Sequence, residues 1–562
     1  MAHRLGAAAR RGLGRPVRWA TLLSGALPVA AFPSLDLELL AWVGLVPGLL
    51  LMLAAPTRRE AAVRGSWFGT GYILAAMYWL APSIGPALLL VAIVFGLLWS
   101  GVGLAIWSTL RPPVTWRGAL AALVVVPSAW LVTEWLRSWQ DLGGPWAVLG
   151  VSQWQHPAIL ALAAVGGVWL ISFALVVANT GIVIAVTARR LAPRLIGCAG
   201  ALLAIAAGPA AFALTAASPT VGHVTVALVQ PGANASENSQ LALSERITSG
   251  PARHADLVVW GESSVGSDLS RDPSRLARLE ALSGRTGTQL LVNQDAENAA
   301  GAQSKVAVLI GPHGVAGRYT KSRLVPFGEY IPFRSELGWL TSISKAAPTN
   351  VLAGNGAHVL HATLRTRRHL TIGVLICFES AFPDMSRYDT NHGARAIIYQ
   401  TSDSTFQGSW ALAQHASLSA LRAAETGRPV AQAALTGDSV AFDARGRLLG
   451  WAGPSFRGAL TVSLPLPPAA ARTPFDRLGD YVPYTAIAVV ILAGAAGLTG
   501  AWRRRRPGLQ PGLQAGPEPV RADRPARPAG VDRGAAGTPV TTIPDLAPQP
   551  PAADPAIPPS ER

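Results

Sequence analysis

Only two cysteines occur in the 562 residues, Cys198 and Cys377, so a disulfide framework and a cysteine-built zinc cluster are both excluded. Each can act only as a single thiol. Lysine is almost as scarce: Lys305, Lys321 and Lys345 are the only lysines among 47 basic side chains, which makes each a candidate for chemistry that a guanidinium cannot perform. Charge is thin as well. Charged residues make up 14% of the chain against 50% hydrophobic, a balance that argues against a wholly soluble protein. There is no Gly-rich phosphate loop, no metal-ligand cluster and no G-x-S-x-G elbow, so nucleotide, metal and serine-hydrolase chemistries find no support. A net charge of +16 would suit a nucleic-acid binder, but 18 tryptophans and a positive mean hydropathy point to lipid as the main solvent, and the basic excess becomes a topology signal.

Apolar runs of membrane-spanning length, about 17–25 residues, recur near 19–33, 37–55, 66–84, 87–110, 118–136, 158–187 and 196–215, and once more at 482–502. That pattern predicts eight spans. The first is short and broken by Pro28, and the sixth has the character of a re-entrant piece near Val165–Gly167. A cleavable signal peptide would mimic the first run, but no small-residue cleavage site followed by a soluble chain is evident, so that span is read as retained. Arg4, Arg10, Arg11, Arg15 and Arg18 precede the first span. Arg58, Arg59 and Arg64 follow the second, Arg111 and Arg117 separate the fourth and fifth, and Arg189, Arg190 and Arg194 the sixth and seventh. Arg137 is the exception in the alternate loops. The positive-inside rule then predicts both termini in the cytoplasm and the 216–481 insert outside. Residues 503–562 carry a basic stop and then a tail. From Pro507 onward the tail has 14 of the 44 prolines and no aromatic residue, a composition that predicts disorder.

The insert has a different texture. His223–Val229, Asp256–Trp260, Gln289–Asn293, Val306–Ile310, Leu370–Ile376 and Ala396–Tyr399 read as short strands, with helices near Ser274–Ser283 and Trp410–Thr426. Continuous apolar strands of this kind suit a sheet covered on both faces. Glu262 follows one strand, Cys377 another, and Lys321 lies beyond the Val306–Ile310 strand; strand ends are where α/β sheets place their chemistry. Taken singly, none of the three carries a claim. A lone strand-end Cys is more often an inert buried residue, a Glu there a solvated cap, and a Lys in Arg318-Tyr319-Thr320-Lys321 ordinary surface charge. Cys198, inside the seventh span and away from polar partners, reads as packing.

Longer motifs change those odds. Arg318-Tyr319-Thr320-Lys321-Ser322-Arg323-Leu324-Val325-Pro326-Phe327-Gly328-Glu329-Tyr330-Ile331-Pro332 resembles the lysine segment of the nitrilase superfamily in the form found in apolipoprotein N-acyltransferases. Gly373-Val374-Leu375-Ile376-Cys377-Phe378-Glu379 is similar to that family's nucleophile strand, and Val259-Trp260-Gly261-Glu262-Ser263 to its first glutamate strand. Trp130 to Arg137 and Gly144-Pro145-Trp146 are similar to its membrane half, so the resemblance covers roughly residues 15–505.

This resemblance implies an N-terminal membrane domain over 1–215, an extracytoplasmic αββα nitrilase-like domain over 216–481 and a last span over 482–502. It implies Glu262 as general base, Lys321 as stabiliser of the oxyanion, Cys377 as nucleophile, Glu329 as the carboxylate that orients Lys321, and Phe378 and Glu379 as pocket lining. The chemistry agrees independently, because a thiol near neutrality needs a base, and a compact ammonium can favour both thiolate and oxyanion. It further implies a multi-pass monomer of a bacterial cell membrane, without cofactor, metal or nucleic acid. That enzyme would take an acyl chain from a phospholipid, typically phosphatidylethanolamine, and pass it through a thioester to the diacylglyceryl-cysteine of an apolipoprotein. Several positions depart from the family pattern: Gly261 stands for Pro, Phe378 for Tyr, Thr401-Ser402-Asp403-Ser404-Thr405-Phe406 for Asn-Asp-Ala-Trp-Phe, and Gln303-Ser304 for Asn-Ser. No Trp follows Gln230. Two alternatives stay open: a membrane-tethered amidase or hydrolase with the same triad, and a transporter in which Glu134 marks a pathway.

Overall fold

Helices that are apolar on every side, not along one stripe, are surrounded by lipid or protein all round, and the N-terminal half is built from them. The computed structural model describes residues 15–232, 236–298, 301–342, 347, 350–406 and 408–505. Helix α1 (15–26) is followed by α2 (Leu40–Val43), α3 (Val46–Leu53), α4 (Arg58–Ala76), α5 (Ala81–Ile84), α6 (Ala87–Gly96), α7 (Ser100–Thr109), α8 (Trp116–Arg137), α9 (Pro157–Thr187) and α10 (Leu191–Leu214). Among the described residues, four stretches are long and apolar enough to cross a membrane: Ala87–Thr109, Trp116–Arg137, Pro157–Thr187 and Leu191–Leu214. These coincide with the fourth to seventh expected spans. The earlier three are interrupted or polar. A 3-10 turn, Leu27–Ala31, follows α1 at Pro28, and the second run is split between α2 and α3. Arg58, Arg59 and Arg64, expected in a loop, lie inside α4, where Arg18 and Arg64 both pair with Glu60.

Helix α9 breaks where a re-entrant piece was expected. Gly166 and Gly167 leave the helical conformation, and Gly167 takes φ +71 with no room for a Cβ against the Phe475 ring. The Val168 N–H freed by the break donates to Glu425 Oε1 at 2.7 Å, so a carboxylate of the second half caps a helix of the N-terminal half. Cys198 is a correction to the sequence reading. Gly197 turns inward against the backbone of Gly181, and the next residue, rotated by about 100° on the helix, puts Cys198 on the exposed face of α10, not in a packed one. Glu134 is fully buried and accepts the Leu149 N–H at 2.7 Å, which makes it a bracket for the following loop.

In the second half, runs such as Leu257-Val258-Val259-Trp260 bury alternate side chains on opposite faces of a sheet. Among the described residues, twelve strands form two six-stranded sheets. The first holds β1 (Gly222–Gln230), β2 (Leu257–Trp260), β3 (Gln289–Glu297), β4 (Gln303–Gly311) and β5 (Gly314–Thr320). The second holds β6 (Val359–Thr363), β7 (His369–Ile376), β8 (Ala396–Thr401), β9 (Val430–Ala434), β10 (Ser439–Phe442) and β11 (Leu448–Ala452), and β12 (Gly458–Leu466) returns to the first. The orders are β12-β1-β2-β3-β4-β5 and β11-β10-β9-β8-β7-β6, with β1-β2-β3 and β7-β8-β9 parallel at the two centres. Leu257 and Val259 join the core shared with Ile372 and Val374 of the other sheet. Val258 and Trp260 join a separate core with Leu241 and Ile247 of α11 (Glu237–Ser249) and Leu279 and Leu282 of α12 (Pro273–Thr286). Beyond the short α13 (Arg334–Leu337), α14 (Pro383–Asn391) and α15 (Ala411–Thr426) pack on the second sheet, which completes an α-β-β-α sandwich. Helices α16 (Pro474–Leu478) and α17 (Tyr481–Arg505) follow, and α17 is apolar over Tyr481–Gly497. The tail from Pro507 lies outside the described residues.

Candidate active site

Strand β7 ends in an elbow. Cys377 has φ +53, a left-handed conformation that costs a non-glycine residue about 1–2 kcal/mol and persists only where its surroundings impose it. The elbow lifts the side chain off the sheet edge, where it meets the ends of β2 and β5. Glu262 is held there by its own N–H on the Thr401 carbonyl at 3.1 Å. Gly261 makes that approach possible, because a Cβ at this position would stand 2.2 Å from Leu435 N and 2.7 Å from Thr401 O. Lys321 immediately follows β5, a strand the sequence reading passed over when it referred this lysine to the preceding one. Its N–H donates to the Lys305 carbonyl at 2.9 Å.

The Lys321 ammonium is 1% exposed and lies between two carboxylates, 3.0 Å from Glu262 Oε1 and 2.8 Å from Glu329 Oε1. Glu329 is held in turn by the Val325 N–H on its Oε2 at 2.8 Å. Burial disfavours this ammonium, yet Glu262, Glu329 and Cys377 outweigh it and raise the lysine pKa well above its ordinary value. Burial and the neighbouring Glu262 push the Cys377 thiol up against the pull of Lys321. The resting group is therefore a thiol, and a nearby base is needed to make it a nucleophile.

The two residues after Cys377 part company. Phe378 packs edge-on against Phe382 with centroids 5.0 Å apart. Glu379, expected to line the pocket, does not: it is fully buried and its carboxylate is taken up by five donors. Tyr319 Oη, Ser322 N, Ser322 Oγ and Arg323 N donate to Oε1 at 2.7, 2.7, 3.0 and 3.0 Å, and Ile376 N to Oε2 at 2.8 Å. It clips the Lys321 segment to the end of β7. Lys305 pairs with Asp295 at 2.6 Å, away from Cys377, and Lys345 lies outside the described residues.

Sequence reasoning missed Thr401, Asp403 and His415. The first two were noted only as departures from a pattern, and His415 sits in a helix of small and apolar residues with no motif to single it out. Thr401 Oγ1 lies 3.6 Å from Cys377 Sγ. Donor atoms of Cys377, Asp403 and His415 fall within 4.8 Å of one another, a spacing a metal ion can use. Both His415 ring nitrogens already face hydrogen-bond partners, so this grouping is a hydrogen-bonded one.

Residues 24–181 match the family described as the apolipoprotein N-acyltransferase N-terminal domain, and residues 225–471 the carbon-nitrogen hydrolase family. The apolipoprotein N-acyltransferase of Brucella melitensis is 30% identical over 528 residues, covering 86% of this chain and 96% of that one. That of Allorhizobium ampelinum is 30% identical over 69% of this chain and 77% of the other. The chain belongs to the apolipoprotein N-acyltransferase family. A Geobacter metallireducens N-acyltransferase is 29% identical over 76% and 85% of the two chains. An amidase from Nesterenkonia sp. is 19% identical, covers 44% of this chain and 93% of its own, and has a TM-score of 0.32, too low to bear on the assignment.

In this N-acyltransferase the membrane half reaches the site through one loop. Arg137 Nη1 donates to Trp146 O at 2.6 Å and Tyr72 Oη to Ala147 O at 2.8 Å, so buried side chains of α8 and α4 hold residues 146–147. Gly144, at φ +66, leaves room for the rings of Phe378 and Phe382, either of which would stand within 3.0 Å of a Cβ. Trp146 lies against His415, with centroids 5.5 Å apart, and donates to Gln414 Oε1 at 2.9 Å. The Gly144-Pro145-Trp146 motif thus belongs to the surroundings of Cys377.

Proposed function

We propose that this protein transfers an acyl chain from a membrane phospholipid, through a thioester on Cys377, to the α-amino group of a diacylglyceryl-cysteine at the N terminus of an apolipoprotein. The observation that carries the reading is the buried Lys321 ammonium shared by Glu262 and Glu329 beside a cysteine in a left-handed elbow. Glu262 takes the Sγ proton and the thiolate attacks the ester carbonyl carbon. The resulting oxyanion faces Lys321, whose geometry Glu329 maintains. Collapse breaks the bond to the glycerol oxygen, which leaves with the proton from Glu262 as lysophospholipid. The acceptor amine then attacks the thioester carbonyl, Glu262 receives a proton from it, and collapse returns the thiol to Cys377.

Both substrates are anchored in the same membrane, which accounts for a catalytic sandwich that continues from one set of apolar helices and ends in another. The arginine placement supports eight spans with both termini in the cytoplasm and residues 216–481 outside, between a membrane domain over 1–215 and a last span over 482–502. The enzyme acts as a monomer, without cofactor, metal or nucleic acid. Its donor is a phospholipid of the phosphatidylethanolamine type. A lipid-facing site also shields the thioester from water and so favours transfer over hydrolysis. The test is to incubate the full chain with a phospholipid carrying one labelled acyl chain and a diacylglyceryl-cysteine peptide. Equimolar N-acyl peptide and lysophospholipid are expected; labelled free fatty acid without acylated peptide would make the protein a hydrolase.

A further inference from the structure

Behind the nucleophile lies a second buried pair that this transfer scheme does not use. His415, in the first turns of α15, and Asp403, just after β8, are 2% and 6% exposed. His415 Nδ1 stands 2.8 Å from Asp403 Oδ1, while its Nε2 stands 3.1 Å from the carbonyl oxygen of Cys377 and 2.9 Å from Ser380 Oγ. A carboxylate only accepts, so Nδ1 carries a proton toward Asp403; Nε2 is shared between the Cys377 carbonyl, to which the charged ring donates, and Ser380 Oγ, which can itself donate. That carbonyl belongs to the residue held at φ +53. Thr401 Oγ1, 3.4 Å from His415 Nδ1, completes the circuit with its 3.6 Å contact to Cys377 Sγ.

We propose that His415, braced by Asp403, is a positioning residue for Cys377: it pins the carbonyl that fixes the elbow and balances the charge of Asp403 where the thiolate forms. The inference rests on Cys377 being the nucleophile. The titratable groups around the ring come from four elements: Asp403 after β8, Glu262 after β2, Cys377 after β7, and Asp438 before β10. Lys321 is paired with Glu262 at 3.0 Å. Replacing the imidazolium by a neutral side chain removes the positive charge that faces Asp403 near Sγ, and a like charge at such range disfavours a second anion. The raised His415 pKa agrees: burial opposes the charged ring, but Asp403, the Cys377 carbonyl and Glu262 together more than offset it.

The test uses the full chain carrying Cys198→Ala, so that Cys377 is the only thiol. Two quantities are followed: the rate of Cys377 alkylation by iodoacetamide from neutral to alkaline pH, and the burst of acyl adduct from phospholipid. His415→Gln is expected to move the alkylation profile up by about one pH unit. It should also slow adduct formation on the order of 10²-fold, the typical cost of a small misplacement, with KM for phospholipid within about twofold. The double variant His415→Gln/Asp403→Asn removes both charges and should return the profile toward the parent. A single variant superimposable on the parent overturns the proposal. So does equal slowing in single and double variants with unmoved profiles, the signature of general loosening. If His415→Gln is not recovered folded, Thr401→Val decides: loss of its hydroxyl should also raise the profile, and an unmoved profile overturns the proposal. A parent that never forms an acyl adduct, while the His415→Gln shift is present, would instead sink the nucleophile assignment and leave the clamp standing.

Discussion

Lys321→Met removes a buried ammonium from between two carboxylates 3.0 and 2.8 Å away, and two separate losses should follow. Breaking a buried ion pair by removing one partner costs about 3–5 kcal/mol, because the remaining charges stay buried. Loss of an oxyanion donor costs on the order of 10²–10³-fold in rate. The two have different pH signatures. In the parent the lysine pKa is raised, since Glu262, Glu329 and Cys377 together outweigh burial. A raised lysine contributes its full stability below the ordinary lysine range and loses it only as pH climbs through the still higher folded value. Its contribution is thus flat across neutral pH. In Lys321→Met the facing carboxylates repel unless one takes a proton, so the variant's deficit should be smallest in acid and grow as pH rises through neutrality. Lys321→Arg keeps the charge and should lose only about 1–3 kcal/mol to overpacking, yet lose rate as severely as Lys321→Met. Thermal unfolding in detergent across pH, with quenched-flow measurement of the acyl adduct, reads both. A pH-independent deficit, or a Lys321→Arg enzyme with parent-like adduct formation, would refute the reasoning.

Glu379→Gln replaces one acceptor oxygen by an NH2 that meets a donor from either Ile376 N or the Tyr319–Arg323 set, so it should destabilise by about 1.5–3 kcal/mol and slow adduct formation while Cys377 remains alkylatable; unchanged stability in denaturant titration would contradict this. Gly261→Ala should cost about 1–3 kcal/mol or more, because its Cβ would meet backbone atoms of Leu435 and Thr401 that cannot swing away. A parent-like melting temperature would show that the two strand ends are less tightly opposed. Reporter fusions at Ser236 and Gly516 should report opposite sides of the membrane, and both in the cytoplasm would defeat the proposed topology.

The parts that were legible in the sequence share one physical cause: they are dictated by local pattern. β2, β7 and β8 are continuous apolar runs because they sit at sheet centres, and α9 reads as broken because Gly166-Gly167 interrupts an otherwise apolar helix. β5, which delivers Lys321, was passed over because Gly314, Gly317 and Arg318 dilute any alternation at a sheet edge. β6 and β9–β11 are short, and β12 is an edge strand interrupted by Pro465. Proximity in space is a different kind of information. Nothing local joins His415 to Cys377, 38 residues earlier, or Trp146 to Gln414, 268 residues later. Glu379 illustrates the converse: it lies two residues from Cys377 in sequence, yet the chain turns so sharply after Cys377 that the carboxylate points back into the fold.

The most direct test is intact-mass and peptide-level analysis of the purified full chain after incubation with phospholipid alone, acceptor withheld. A single acyl adduct is expected, mapping to Cys377 and accompanied by lysophospholipid; it should be absent from Cys377→Ala, undiminished in Cys198→Ala, and discharged when a diacylglyceryl-cysteine peptide is added. An adduct that maps to Cys198, or one that persists in Cys377→Ala, would contradict the account.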